Sequence, residues 1–561
     1  PCWKIFSMVK LTEPAKKGKR VRVDYDVVIA GFGPTGAMAA NMLGHHNIPT
    51  LVVDPTPEIF DIPRGVHFDG ETMRIFQSIG IADKVMAQSV SNNSLNFVNG
   101  RGASLMRFEL GRLPQTAGWP ADIFFRQPLV ERHLRDNLAR FDTLSFELGW
   151  AVAALEQTQS HVAISLRHAE TGETKSVNAS YLIGADGADS TVRQLAGIAL
   201  EDLECDEPWL VVDWELDRDI AFSRDVYQFC DPKRPGTLVP CAGQHIRWEF
   251  MINPGDDYAT MEDPNAVRAM MQPYLRHLGT NIGPEDGQIL RSKVYQFHAL
   301  LASQMRSNRV FLMGDAAHQM PPFLGQGMCA GLRDAENLAW KLAGVLQGRY
   351  TPSLLDSYHS ERYTHVRAVI KQAVQIGEII QTRNSVKAFM RDTFLRLGKL
   401  VPKLMSGIQF GQTWRLGDGL LADDRAAGRQ IPQPLVCKGE ITDKLDAFLP
   451  EGFCLLMLDD AGRADLQRVL DAHQGLACQT ISLSTKAGSN DADLTEHENF
   501  ISDMAEQFNV CGYLLRPDRQ IYAALKISET PLADQLAHHL QELSARLLAD
   551  GQKREQKTAA Q

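Results

Sequence analysis

The sequence predicts a mixed α/β fold in three units, and three observations predict it. A glycine-rich turn, GFGPTG, follows an apolar strand and opens a helix near the N-terminus. Strands run into Gly/Asp turns again at residues 181–187 and 310–315, the last beyond a long series of short strands, and strands alternate with helices again beyond residue 437. The first two describe one Rossmann-like nucleotide-binding domain interrupted by an inserted β-sheet. The third describes a separate C-terminal unit. The length of 561 residues agrees, because it exceeds what one hydrophobic core holds.

Taken along the chain, residues 1–23 read as a flexible N-terminal extension, 24–200 as the first part of the nucleotide-binding domain, and 201–300 as a β-rich substrate domain. Residues 301–415 return to the nucleotide-binding domain and add long helices, 416–436 form a Gly/Pro-punctuated linker, 437–548 form the C-terminal domain, and 549–561 a disordered tail. Apolar residues make up 44% and charged residues 22%, an ordinary globular balance. The net charge of −10 leaves no basic face for nucleic acid, so small-molecule partners become the default. Nine Cys without a CxxC indicate neither a disulfide framework nor a metal site, and fit a reducing cytoplasm. No stretch approaches the length of a membrane span.

In YDVVIAGFGPTGAMAANMLGHHNIPTLVVDP the strand Val27–Ala30, the turn, a helix and the strand Thr50–Val53 make a βαβ unit. Gly31 permits the tight turn, Gly33 lets a pyrophosphate approach the backbone, and Gly36 lets the helix lie against the strand. Pro34 and Thr35 open the helix, whose N-terminal N–H groups and dipole favour phosphate. Asp54, 18 residues after Gly36, stands where an acid accepts hydrogen bonds from a ribose. Arg64, in the irregular loop that follows, is placed to meet an anion, with a solvated loop cation as the plainer alternative.

SYLIGADGADSTVRQLAGI supplies a second strand, then Asp186, Gly187, Ser190 and Arg193; Asp186 can cap the new helix and Arg193 can reach an anion. NRVFLMGDAAHQMPPFLGQGMCAGLRDAENLAWKLA supplies a third, with Gly314 and Asp315 after the strand and a long amphipathic helix after the Gly-rich turn. Leu338, Ala339, Leu342 and Ala343 recur there at helical spacing, and Asp334 and Asn337 read as packing and hydrogen-bonding residues. Between these motifs lie a β-meander before residue 184, long β segments from 207 to 305, and a helix at 262–278.

These three motifs, GxGxxG, DGxxSxxR and GDAAHxxPPxxGQGxxxGxxDAxNLAWKL, in this order resemble the single-component FAD-dependent aromatic hydroxylases over residues 24–375. CDPKRP at 230–235 and RWEFMINPGD at 247–256 resemble the branch acting on 3-(3-hydroxyphenyl)propionate. The resemblance implies FAD as resident cofactor, NADH or NADPH as transient electron donor, O2 and a small phenolic substrate, with hydroxylation through a flavin C4a-hydroperoxide. The single GxGxxG agrees with a nicotinamide that docks only transiently. It assigns Gly31, Gly33, Pro34, Thr35, Gly36, Asp54, Arg64, Gln127, Asp186, Gly187, Arg193, Gly314, Asp315, Gly325, Gln326 and Gly327 to the cofactor, with the helix after Gly327 turned toward the flavin. Gln127 also fits a place beside a Pro-initiated helix start.

Pro321, Pro322 and Phe323 are expected at the flavin's reactive edge, the Pro322 backbone orienting the substrate hydroxyl. His318, His67, Tyr227 and Tyr295 are candidate proton acceptors, although a histidine in an apolar-flanked segment is more often structural and the tyrosines fit a sheet equally well. Arg247, Arg234 and Lys233 are candidates for the substrate's acid group or for a solvated surface. The C-terminal unit resembles the thioredoxin-like domain of phenol-hydroxylase-type relatives; without a CxxC its expected role is structural support or homo-oligomer contact. Hydroxylation of another phenol, a polyketide or a heteroaromatic is the neighbouring reading, and a non-catalytic FAD-binding protein the distant one.

Overall fold

The fingerprint strand Tyr25–Ala30 lies inside a largely parallel sheet ordered Arg306–Ser307, Val310–Leu312, Thr174–Gly184, Tyr25–Ala30, Thr50–Asp54, Leu144–Leu148. The structure is a computed structural model and describes residues 23–61, 64–279, 282–400, 414–458, 462–484 and 492–548. The expected N-terminal extension, Val23 apart, and the expected tail lie outside the described residues. Tyr25–Ala30 pairs in parallel with Thr174–Gly184 on one side and Thr50–Asp54 on the other, and Val27, Val28 and Ile29 are fully buried. A strand covered on both faces needs an unbroken apolar run, which VVIA supplies.

Strands Trp150–Gln157 and Val162–His168 fold back antiparallel onto Thr174–Gly184 as the expected meander. Helices Pro34–His45 and Gly327–Leu346 pack against each other beside this sheet, so two helices separated by almost the whole insertion begin side by side.

The second sheet has eight strands in the order His318–Gln319, Gly287–Ala302, Leu200–Leu216, His245–Met251, Gly236–Pro240, Val226–Cys230, Leu95–Asn99, Ser104–Phe108. Its last two strands come from the segment read as nucleotide-binding, and Leu95–Asn99 joins Val226–Cys230 in parallel. The substrate sheet is therefore wider than residues 201–300. Trp214, Trp248 and Phe250 bury its outer face against Val267 and Met271. The expected helix at 262–278 is split: Asp263 caps Pro264–Met271, and Pro273 carries the chain into a 3-10 turn over Gln272–His277.

The C-terminal unit is a seven-stranded mixed sheet with helices Arg463–Asp471, Phe500–Phe508 and Leu532–Leu547. The linker before it is not a loose tether. Leu416, Leu420, Leu421, Ala426, Ala427 and Ile431 are buried, and the Leu420 amide donates to Glu361 at 2.8 Å. Among the described residues no helix is long and apolar enough to cross a membrane.

Candidate active site

One cavity of about 850 Å³ runs from the fingerprint turn to the inner face of the second sheet. At the fingerprint end, Gly31 holds φ +103°, a conformation that favours glycine, and an added Cβ there would lie 2.2 Å from the Ala185 carbonyl oxygen. A Cβ on Gly36 would lie 2.0 Å from the Gly31 oxygen, whereas one on Gly33 would meet nothing within 4 Å. Gly36 thus serves close packing, and Gly33 keeps the cavity open. Helix Pro34–His45 starts without a side-chain cap, as does Gly327–Leu346, and both starts border the cavity. Their N–H groups and positive dipole ends converge on one space, where anionic groups are favoured.

Asp54 accepts hydrogen bonds from the amides of Phe32 and Thr56, both at 2.7 Å, which fixes its carboxylate and leaves lone pairs for hydroxyl donors. Asp315 opens onto the cavity without a hydrogen-bond partner among the described residues. Its side chain is exposed to that space, and the protein atoms walling the cavity desolvate it and raise its pKa. An unpartnered acid beside two free helix starts fits the hydroxyl groups and phosphates of FAD; Gly33, Pro34, Thr35, Asp54, Arg64, Asp186, Gly187, Asp315, Gly325 and Gly327 all line that space.

Other expected cofactor residues act one step removed. The Gln127 carbonyl oxygen accepts from the amides of Arg64 and Gly65 at 2.8 and 2.6 Å, and its NH2 donates to Glu131, so it shapes the Arg64 loop although it borders the cavity. Asp186 accepts from the Ser190 hydroxyl and the Val192 amide, and Ser190 caps the helix instead. Arg193 donates to the carbonyls of Ala316 and Ala188, tying the second turn to the third rather than reaching an anion. Gln326 is held by Asp69 and Arg333, and Gly314 donates its amide to Asp334.

Two candidate proton acceptors fall away from the cavity. His318 is buried with its Nε2 2.6 Å from Asp334, which also accepts from Arg362 Nε at 2.7 Å, so it braces the turn. Tyr227 alternates with Val226 and Gln228, which border the cavity; its own ring faces the other way, 4.5 Å from the His277 ring. Arg234 pairs with Asp256 on a hairpin, Lys233 is exposed, and Pro321 does not reach the cavity wall.

Pro322, Phe323, Tyr295, Arg247 and His67 do reach it. Gly325, at φ +64°, turns the chain between Pro322 and the helix, and its carbonyl lies 3.2 Å from His67 Nδ1. His67 Nε2 lies 3.0 Å from Asp122. Burial alone would discharge this imidazole, but the Asp122 carboxylate holds its pKa up, at about 9. His67 is therefore a fixed cation at neutral pH, not a proton acceptor.

The inner sheet face carries polar residues that motif reading did not single out. Buried Asp213 accepts from Arg247 and Arg291, each at 2.9 Å, and lies 2.9 Å from His245 Nε2; despite burial, this cationic company holds its carboxyl well below the usual range. Arg247 also donates to the Arg64 carbonyl, and Arg291 to the Tyr295 hydroxyl. Next to this row, Glu249, Thr237 and Gln228 lie opposite one another on three adjacent strands. The signal was present in HIRWEF, where every second residue is polar inside an otherwise apolar sheet.

This fold and cavity define a protein that seats an extended dinucleotide cofactor beside a buried, cation-bearing pocket. A family model described as FAD binding domain matches residues 24–373, and one described as HcaD C-terminal domain matches residues 428–542. A 3-(3-hydroxyphenyl)propionate/3-hydroxycinnamic acid hydroxylase of Burkholderia vietnamiensis is 32% identical over 89% of this chain and 93% of that protein. A probable NADH-specific resorcinol 4-hydroxylase of Rhodococcus jostii is 32% identical over 80% of this chain and 81% of its own length. Among solved structures, aklavinone-11 hydroxylase with FAD and aklavinone superposes with a TM-score of 0.75 at 21% identity, over 94% of this chain and all of that one. The chain belongs to the FAD-dependent aromatic hydroxylase family.

Proposed function

We propose that this chain hydroxylates a small phenolic acid of the 3-(3-hydroxyphenyl)propionate kind in the cytoplasm, using NADH or NADPH and O2. The observation that carries this reading is the single cavity joining the FAD cradle to the Arg247–Asp213–Arg291 row. FAD held by the Gly33–Thr35 turn, Asp54, Asp315 and Gly327 would supply the redox chemistry that links the nicotinamide, O2 and the phenol. Arg247 and Arg291, with Tyr295 beside them, provide the positive potential that seats the substrate's carboxylate. Leu95, Leu110, Val226 and Val239 supply apolar walls for the ring and exclude water. The Pro322–Leu324 turn and charged His67 hold the approach to Gly327 and the helix start.

The test follows NADH and NADPH oxidation by the FAD-loaded protein, with product and H2O2 both quantified. Hydroxylated 3-(3-hydroxyphenyl)propionate formed in step with nicotinamide oxidation is the expected result. Product from resorcinol but none from the phenolic acid would overturn the substrate assignment, since a neutral phenol has no use for the guanidinium row.

A further inference from the structure

Glu249 stands on the inner face of strand His245–Met251 and borders the cavity, yet only 7% of its surface is exposed. Its carboxylate has no hydrogen-bond partner among the described residues. Val211 and Thr237 lie opposite it on the two neighbouring strands. The Thr237 hydroxyl already donates to Gln228 Oε1 at 2.7 Å, so it is turned along the strip. A buried acid left without a donor is expensive, and such groups concentrate where a ligand or a reaction uses them.

The charged groups that bear on Glu249 are Arg247 on its own strand, Asp213 on the next and Arg291 on the strand beyond. Arg64, Asp315 and the His67–Asp122 pair lie elsewhere in the same cavity wall. Burial dominates and raises the Glu249 pKa to about 7, with Arg247 opposing. Of the groups first read as proton acceptors, His318 and Tyr227 miss the cavity, His67 is charged, and the Tyr295 hydroxyl already accepts from Arg291 at 3.1 Å.

We propose that Glu249 is the catalytic base of the hydroxylation, accepting the proton of the substrate's phenolic hydroxyl while Arg247 and Arg291 hold its acid group; this rests on the phenolic reading above. The phenolic O–H bond breaks, a carboxyl O–H bond forms, and the electron pair stays on the substrate oxygen. That pair enriches the ring carbon that receives oxygen. Arg247 and Glu249 stand two residues apart on one face of strand His245–Met251, roughly 7 Å at ~3.4 Å per residue, a separation that suits a substrate with its hydroxyl at one end and its acid group at the other.

The experiment compares wild type with Glu249→Gln, both FAD-loaded, measuring FAD content, dissociation constants for 3-(3-hydroxyphenyl)propionate from the flavin spectrum, and product formation against pH. The wild-type rate is expected to rise through a limb near pH 7. Glu249→Gln should keep FAD and bind substrate, lose product formation by about 10²–10⁴-fold, and send the nicotinamide electrons to H2O2. A fluorinated phenolic acid with a more acidic hydroxyl should recover part of the variant's rate. Wild-type turnover with an unchanged limb in Glu249→Gln would overturn the assignment.

If that variant fails to load FAD, the wild type decides with a series of fluorinated phenolic acids. A limb fixed near pH 7 across the series supports an enzyme base, and a limb that follows each substrate's own pKa refutes it. A wild type that binds FAD but hydroxylates no phenol would sink the phenolic reading itself.

Discussion

At the residue scale, charge pairing decides what each polar side chain can do. His67 is charged because Asp122 lies 3.0 Å from its Nε2, and His318 is committed to Asp334 at 2.6 Å. The folded His67 pKa near 9 lies above the unfolded value near 6.5. Its contribution is thus complete below about pH 6.5 and is lost as pH rises through about 9. Thermal unfolding of the holoprotein should show stability falling by about 3 kcal/mol across this window, and Asp122→Asn should flatten the fall. A wild-type melting temperature that stays level from pH 6.5 to 9.5 would contradict the pairing. The first pair was not legible in the motifs, because Asp122 follows His67 by two α-helices and three strands; the second lies within one motif, 16 residues apart, but spacing alone does not say that the turn folds His318 back onto the helix that carries Asp334.

At the element scale, the two glycines of one turn separate cofactor clearance from folding. Gly33 faces open cavity, so Gly33→Ala should fold with an unchanged apoprotein melting temperature while weakening FAD binding by at least about tenfold, or ~1.4 kcal/mol. Gly36 abuts the Gly31 carbonyl, so Gly36→Ala should destabilise the apoprotein itself by about 1–3 kcal/mol. Equal melting temperatures for the two apoproteins would refute this division. The turn was readable because strand, glycine spacing and terminal acid all lie within thirty consecutive residues. The substrate face was not: Asp213, Arg247 and Arg291 become neighbours only through cross-strand register, which a motif scan does not contain. Tyr227 shows the limit from the other side, since alternation assigns it a face but cannot say which face meets the cavity.

At the scale of the whole molecule, a buried ionic cluster joins the units. Glu361, on helix Asp356–Ile380, accepts from Lys341 at 2.8 Å and from both Arg516 terminal nitrogens at 2.9 Å, and Arg516 also pairs with Asp518. Glu361, Lys341 and Arg516 are fully shielded from solvent. Removing one partner strands the others, so Arg516→Met should cost about 3–5 kcal/mol and expose the segment around Leu420 to limited proteolysis. Unaltered melting and proteolysis would show that the linker is held by its apolar side chains alone. Residues 416–436, read from the sequence as a Gly/Pro-punctuated linker, are packed through Leu416, Leu420, Leu421, Ala426, Ala427 and Ile431. The first sheet carries a further consequence for synthesis. Its Val310–Leu312 strand, and Asp315 after it, are translated only after the entire second sheet save His318–Gln319. At about 5–20 residues per second, residues 31 and 315 leave the ribosome roughly 15–60 s apart. A nascent chain therefore displays its glycine turn long before it can grip the flavin, and FAD capture belongs to the late, nearly complete polypeptide.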